Sequence, residues 1–357
     1  MSTSTSATAT AGSQTGEPIL RVTGLRKYFP IQSSFLRRTI GQVKAVDGVE
    51  LEVFGSETLG VVGESGCGKS TIGRTMLKLL EPTEGTIQLA GKDITGFSRR
   101  EMVPMRREAS MIFQDPYSSL NPRHTVGKIV AAPFEVQGIE PPGGVKKAVQ
   151  DLLDRVGLNP EHYNRFPAEF SGGQRQRIGI ARALALHPKL IICDEPVSAL
   201  DVSIQAQVVN LLEDLQNEFG LAYVVIAHDL SVIRHISDRI AVMYLGKVME
   251  LSDSDSLYLA PRHPYTKALL SAVPVPEPGG RGRRERIVLA GDLPSPANPP
   301  SGCVFRTRCW KAEDRCAAEV PALVEVEPGR KVACHFPEPA AGEVSFTPSQ
   351  PNGTAPA

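Results

Sequence analysis

The run Gly63-Glu64-Ser65-Gly66-Cys67-Gly68-Lys69-Ser70-Thr71 constrains this chain more than any other stretch. An apolar segment ending in Leu59-Gly60-Val61-Val62 leads into it, and good helix formers follow from Thr71 to Leu80. A strand that turns through a glycine-rich loop into a helix is the setting of a phosphate cradle. Its glycines let backbone N–H groups close on a polyphosphate without a Cβ in the way, and the helix N-terminus favours negative charge. Gly63, Ser65, Gly66, Cys67, Gly68 and Thr71 then line the cradle. Lys69 reaches the β- and γ-phosphates, and Ser70 holds Mg²⁺ through its hydroxyl.

A β–γ phosphate bond is hydrolysed only where a metal, a water and the γ-phosphoryl charge are all held. Lys189 to Cys193 is a continuous apolar run ending in Asp194-Glu195, as a buried parallel strand with carboxylates at its C-terminal edge would read. Asp194 suits Mg²⁺, directly or through water, and Glu195 suits the attacking water; the bland alternative is a solvent-facing carboxylate pair. Ala222 to Ala227 repeats the pattern and ends in His228-Asp229, where His228 either senses the γ-phosphate or is a structural hydrogen-bonder. Tyr28-Phe29 ends a first strand from Ile19; one ring stacks on an adenine or both are ordinary strand-end aromatics. A polar insertion from Gln32 to Gln42, with Arg37 and Arg38, precedes a strand from Val43 to Val53. Helices are expected over 125–137, 144–156, 174–186 and 203–218, with Ser171 as an N-cap. Strands alternating with helices imply a parallel α/β core.

Lys plus Arg equals Asp plus Glu at 39 each, so no global basic field argues for nucleic acid. No apolar stretch approaches the roughly 20 residues of a membrane helix. Met1 to Gly16 lacks a basic start and an apolar stretch, which reads as a disordered tail rather than a secretory signal; the last twenty residues read likewise. Pro274 to Arg286 reads as a linker. A nucleotide-rich compartment keeps thiols reduced, so six cysteines do not imply three disulfides. Cys303, Cys309, Cys316 and Cys334, spaced C-x5-C-x6-C-x17-C, fit a zinc ion or an iron–sulfur cluster, the alternative being scattered reduced cysteines. Cys67 and Cys193 read as small fillers.

Taken together, Gly63 to Thr71, Gln114, Phe170-Ser171-Gly172-Gly173-Gln174-Arg175-Gln176-Arg177, Leu190 to Glu195, Ser198-Ala199-Leu200-Asp201 and His228 resemble the complete motif set of an ABC-transporter ATPase subunit, in order and spacing. The resemblance implies an α/β P-loop NTPase core with a mixed, mostly parallel sheet and a helical subdomain at about 98–186. It implies ATP and Mg²⁺ at the interface of two such subunits, with Ser171, Gly172, Gly173 and Gln174 of one closing over the loop of the other. It further implies that Gln114 links Mg²⁺ and the attacking water to a membrane partner, that Asp201 lies at the dimer interface and that His228 contacts the γ-phosphate. The adenine-stacking aromatic of this family sits four residues after an apolar position such as Leu25, which points to Phe29, with Tyr28 second.

Phe113 to Arg123, His263 to Leu270 and Pro294 to Pro300 resemble the ATPases of oligopeptide and dipeptide importers. Tyr117 and the start Lys27-Tyr28-Phe29-Pro30 are similar to the F-type subunit, although nickel importers share these features. The resemblance divides the chain into a tail (1–17), an ATPase domain (18–262), a four-cysteine extension (263–337) and a second tail (338–357). It favours a [4Fe–4S] cluster over zinc, with Trp310 departing from the proline usual after the second cysteine. It implies a peripheral subunit on the cytoplasmic face of the membrane, working with a second similar ATPase, two permease subunits and a substrate-binding protein to import peptides. Nickel or another small solute is the alternative. A soluble ABC protein acting on nucleic acid or the ribosome usually carries two cassettes or strong basic regions, and this chain has neither.

Overall fold

The computed structural model describes residues 16–33, 38–273 and 286–339. Two sheets form. Strands β1 (Leu20–Gln32), β2 (Thr39–Val53), β4 (Glu84–Leu89) and β5 (Lys92–Asp93) make an antiparallel sheet of order β2-β1-β4-β5. The larger sheet has order β11-β12-β10-β9-β3-β8-β7-β6. In it β3 (Thr58–Val62), β6 (Ala109–Ile112), β7 (Leu190–Asp194), β8 (Ala222–Ile226) and β9 (Arg239–Tyr244) run parallel. β10 (Lys247–Asp253), β11 (Val324–Glu327) and β12 (Arg330–Val332) continue it antiparallel. β3, β7 and β8 are buried at every position, which is why they read as unbroken apolar runs rather than alternating ones.

Helix α1 (Lys69–Met76) packs with the antiparallel sheet on one face of the large sheet, around Leu25, Ile72, Met76, Ile192 and Ile226. A short helix α2 (Met102–Met105) precedes β6. On the other side, α3 (Val126–Gln137), α4 (Val145–Arg155), α5 (Gly172–Leu184), α6 (Val202–Phe219) and α7 (Leu230–Ile236) share a second apolar cluster with Phe305, Cys303 and Cys316. Helices α8 (Ser254–Leu259), α9 (Pro264–Ser271) and α10 (Asp314–Ala318) belong to the C-terminal part. β12 pairs with β10 through Glu250↔Val332 and Leu251↔Lys331. Beneath that pairing the buried Glu250 carboxylate accepts the Arg262 and His263 N–H groups and Arg330 Nη2, each at 2.9 Å.

The first two strands run further than their side chains suggest. Pairing continues through Pro30↔Gln42, Ile31↔Gly41 and Gln32↔Thr39, so both ends of the expected polar insertion, Gln32 and residues 39–42, belong to the hairpin, whose backbone groups satisfy each other. α1 begins two residues before Thr71 and stops at Met76, because Lys78 takes a left-handed φ of 50°. α5 begins at Gly172, directly after its Ser171 cap. The expected tails and linker fall largely outside the described residues, as does Arg37. No helix among the described residues is long and apolar enough to cross a membrane.

Candidate active site

β3 delivers the loop from Gly63 to Gly68 into the N-terminus of α1, and neighbouring turns grip it. A Cβ on Gly63 would lie 2.1 Å from the Met243 carbonyl oxygen, and one on Gly68, at φ 105°, would lie 1.9 Å from that of Ala45. The Gly246 N–H donates to the Cys67 carbonyl and the Asp47 N–H to that of Gly246, both at 2.8 Å. Only glycine fits these close approaches. Ser65 and Gly66 face solvent at the tip, and Cys67 is buried, which pushes its thiol pKa up. The buried Lys69 folds its ammonium back onto the carbonyls of Gly63 (2.8 Å) and Glu64 (3.0 Å).

The parallel register lines up the remaining groups. Val61 and Asp194 each sit opposite Ile226, and Ile112 sits opposite Cys193. One sheet edge thereby carries Lys69 and Ser70 after β3, Gln114 after β6, Asp194 and Glu195 at β7, and His228 after β8. Ser70 Oγ donates to Asp194 Oδ1 at 2.7 Å, and Arg74 Nη2 lies 3.4 Å from Oδ2 of that fully buried carboxylate. Gln114 Nε2 donates to Glu195 Oε2 at 2.9 Å, and His228 Nδ1 is 3.5 Å from the same oxygen. Glu195 holds a left-handed φ of 48°, with its N–H donated to the Ile226 carbonyl at 2.8 Å. Such strain at a strand end persists where the surroundings over-determine it. Chemically, a hydroxyl and one buried carboxylate suit a hard cation that draws its other ligands from phosphate and water. The second carboxylate, steered by an amide and an imidazole, suits a water.

Two expected elements stand apart from this edge. Ser171 and Gln174 form a reciprocal capping box, Ser171 Oγ accepting from the Gln174 N–H at 3.3 Å and Gln174 Oε1 from the Ser171 N–H at 3.0 Å. A Cβ on Gly172 would meet Leu200, and one on Gly173 would lie 2.5 Å from Ile204, so this helix end and the Ser198–Asp201 turn form one patch. Asp201 is exposed at the head of α6. The Tyr28 hydroxyl is tied to Asp47, whereas Phe29 is exposed beneath Lys27, whose Nζ is 5.0 Å from the ring centroid. Of the two rings Phe29 is the freer.

Sequence reasoning missed Arg74, which supports Asp194, and two residues that hold Glu64. The Tyr265 hydroxyl accepts its N–H and Arg308 pairs with its carboxylate, across 201 and 244 residues of chain. No local pattern signals contacts of that span.

The four-cysteine expectation is supported only in part. Cys303, Cys309, Cys316 and Cys334 line one small cavity with Phe305 and His263. Yet among the described residues no three His, Cys, Asp or Glu side chains are grouped so as to hold a metal ion. Burial pushes Cys303 up, Cys309 up to about 11 and Cys334 up to about 12, which keeps these thiols protonated. All six cysteines are free.

Comparison with known proteins agrees with this geometry. A family model described as ABC transporter matches residues 46–198, and one described as the C-terminal region of oligopeptide/dipeptide transporters matches 249–316. The chain is 57% identical over 321 residues, 90% of its length and 98% of the relative's, to the oligopeptide transport ATP-binding protein AppF of Bacillus subtilis (strain 168). The dimeric ATP-binding cassette MJ0796, in a post-hydrolysis state with ADP and Pi, superposes with a TM-score of 0.59 and 28% identity, covering 66% of this chain and 98% of that one. CbiO1 of Clostridium perfringens, part of the ABC transporter complex cbiONQ, superposes with a TM-score of 0.58 and 26% identity, covering 68% and 91%.

Proposed function

The chain belongs to the ABC transporter ATP-binding family, in its oligopeptide/dipeptide branch, and from that premise we propose that it is the ATPase subunit that powers a peptide importer. The observation that carries this is the convergence of Lys69, Ser70 with Asp194, and Gln114 with Glu195 and His228 on one sheet edge. ATP lies on Gly63 to Thr71, with Phe29 against the adenine. Ser70, Asp194 and Gln114 would hold Mg²⁺, which would offset the charge of the phosphates. Glu195 accepts a proton from the attacking water, and His228 contacts the γ-phosphate. Lys69 leaves its two carbonyls for the phosphates as ATP enters. The patch of Ser171 to Gln174 and Asp201 faces outward and closes on the loop of a second, similar subunit. Residues 18–262 form the ATPase domain, with 98–186 as its helical part, and 263–337 the extension.

A groove of about 330 Å³ between β6, α3 and α5 exposes Leu79, Val103, Phe113 and Val136. We assign it to the permease. Phe113 precedes Gln114, so an occupant of the groove pushes on the amide that steers Glu195. On this reading the subunit sits on the cytoplasmic face, beside two permease subunits and, through them, a substrate-binding protein. Peptide as cargo rests on the relatives' names, and nickel is the competing cargo. The four cysteines line one cavity, and their spacing lacks the close C-x2-C pairs usual for zinc, which suits a [4Fe–4S] cluster better than a single zinc ion. Held by Cys303, Cys309, Cys316 and Cys334, it would cross-link the extension; anaerobically purified protein without absorbance near 400 nm would refute it.

The test is Glu195→Gln in the assembled transporter. The amide keeps the side-chain length and the same strained φ, so ATP still binds while turnover falls about a hundred- to ten-thousand-fold. Peptide uptake stops with it. Turnover within tenfold of wild type would overturn Glu195 as the base.

A further inference from the structure

Glu64, the second residue of the phosphate loop, has its N–H and its carboxylate held from the C-terminal part of the chain. Its N–H donates to the Tyr265 hydroxyl at 2.9 Å, and its Oε2 accepts from Arg308 Nη1 at 2.7 Å. Tyr265 is fully buried, its ring 4.7 Å from that of Tyr244 and 5.3 Å from that of Phe305 between centroids. The Arg308 side chain is only 9% exposed and also reaches the Tyr244 hydroxyl at 3.5 Å. The nearby Lys69 ammonium bonds to backbone carbonyls of the loop and not to the Glu64 carboxylate.

A loop built to receive a polyphosphate thus carries a carboxylate of the same sign as its ligand. Paired with Arg308, that carboxylate presents little net field. Unpaired, it would repel the phosphates, and its partial burial limits the screening that salt provides. The Tyr265 bond fixes the neighbouring N–H, so the entry half of the loop is set in shape as well as in charge. We infer that Arg308 and Tyr265 are positioning residues of the nucleotide site, the C-terminal segment neutralising and shaping the phosphate loop in cis. This rests on the reading of Gly63 to Thr71 as the ATP loop. It gives the His263-Pro264-Tyr265 stretch and the segment around Cys309 a part in nucleotide binding that their chain positions do not suggest.

The experiment is equilibrium binding of a fluorescent ATP analogue with Mg²⁺ to the purified full chain at low ionic strength. Arg308→Gln should weaken binding about tenfold, ~1.4 kcal/mol. Arg308→Lys, which keeps the charge and loses the fork, should weaken it about threefold. Glu64→Gln combined with Arg308→Gln should return to within about twofold of wild type, because no unpaired carboxylate remains; a merely structural role for Arg308 would not be rescued this way. Arg315→Gln, which opens only an exposed pair with Glu319, serves as the control and leaves affinity unchanged. Wild-type affinity in Arg308→Gln, or a double variant as weak as the single, overturns the inference. If Arg308→Gln does not fold, Glu64→Gln alone decides: it frees the guanidinium beside the phosphates and should tighten binding, and unchanged or weaker binding overturns the inference. A wild-type chain that binds no analogue overturns the ATP reading itself, a result distinct from any of these.

Discussion

Replacing Arg330 with methionine should release the C-terminal segment from the sheet before the rest of the molecule unfolds. Arg330 and Glu250 form a pair whose side chains are 5% and 0% exposed, at 2.9 Å. Removing one member of a buried pair strands the other's charge, which costs about 3–5 kcal/mol. Glu250 keeps two backbone donors, the N–H groups of Arg262 and His263, so the lower figure applies, ~3 kcal/mol. At about 2 °C per kcal/mol for a large domain, the melting temperature should fall by ~6 °C. The single tryptophan of the chain, Trp310, lies in this segment and is partly exposed, so its fluorescence reports the segment while far-ultraviolet circular dichroism reports the whole. In a urea titration the two signals should coincide for wild type and separate for Arg330→Met, fluorescence moving first. Glu250→Gln combined with Arg330→Met should recover part of the loss, since no buried charge is left. A loss under about 1 kcal/mol, or a double variant less stable than the single, would refute the reasoning.

The loop offers a matched comparison. Gly68→Ala must place its Cβ 1.9 Å from a backbone oxygen at a φ of 105° and should abolish binding of the ATP analogue; Gly66→Ala, at φ 80° in open space, should cost only the ~1–2 kcal/mol of left-handed strain. Equal binding by the two variants would contradict the clamp described for Gly68. Burial holds His263 neutral by lowering its pKa to about 3, whereas the unfolded chain takes up a proton below about 6.5. The folded state therefore loses ~1.4 kcal/mol per pH unit as pH falls below 6.5, a slope that flattens near 3. Thermal melts across that window should show a shallower slope for His263→Asn, and an unchanged slope would remove His263 as the cause.

What could be read in the sequence was what adjacent residues determine. The loop, the apolar strand ending in Asp194-Glu195 and the Ser171 cap each depend on a short run whose chemistry is explicit, and the structure forms all three. The hairpin of β1 and β2 outran its sequence signal because backbone pairing carries it past the polar side chains. Four cysteines at suggestive spacing share a cavity, yet spacing along a chain does not state whether thiols meet at a point. Arg74, Tyr265 and Arg308 were invisible for a simpler reason. Each is an ordinary residue in its own neighbourhood and acquires a role only from a partner 120, 201 or 244 positions away.

The bond between Glu64 and Arg308 also orders events during synthesis. With 244 residues between them, a ribosome adding about 5–20 residues per second makes the loop ~12–50 s before the arginine that neutralises it. Through that interval the nascent chain holds a phosphate loop with an unpaired carboxylate, and β10 lacks the partner that β12 later supplies. The nucleotide pocket of this subunit is thus among the last parts of the molecule to mature. A chain truncated before Arg308 keeps every residue of the ATPase motifs and lacks the arginine that pairs with Glu64.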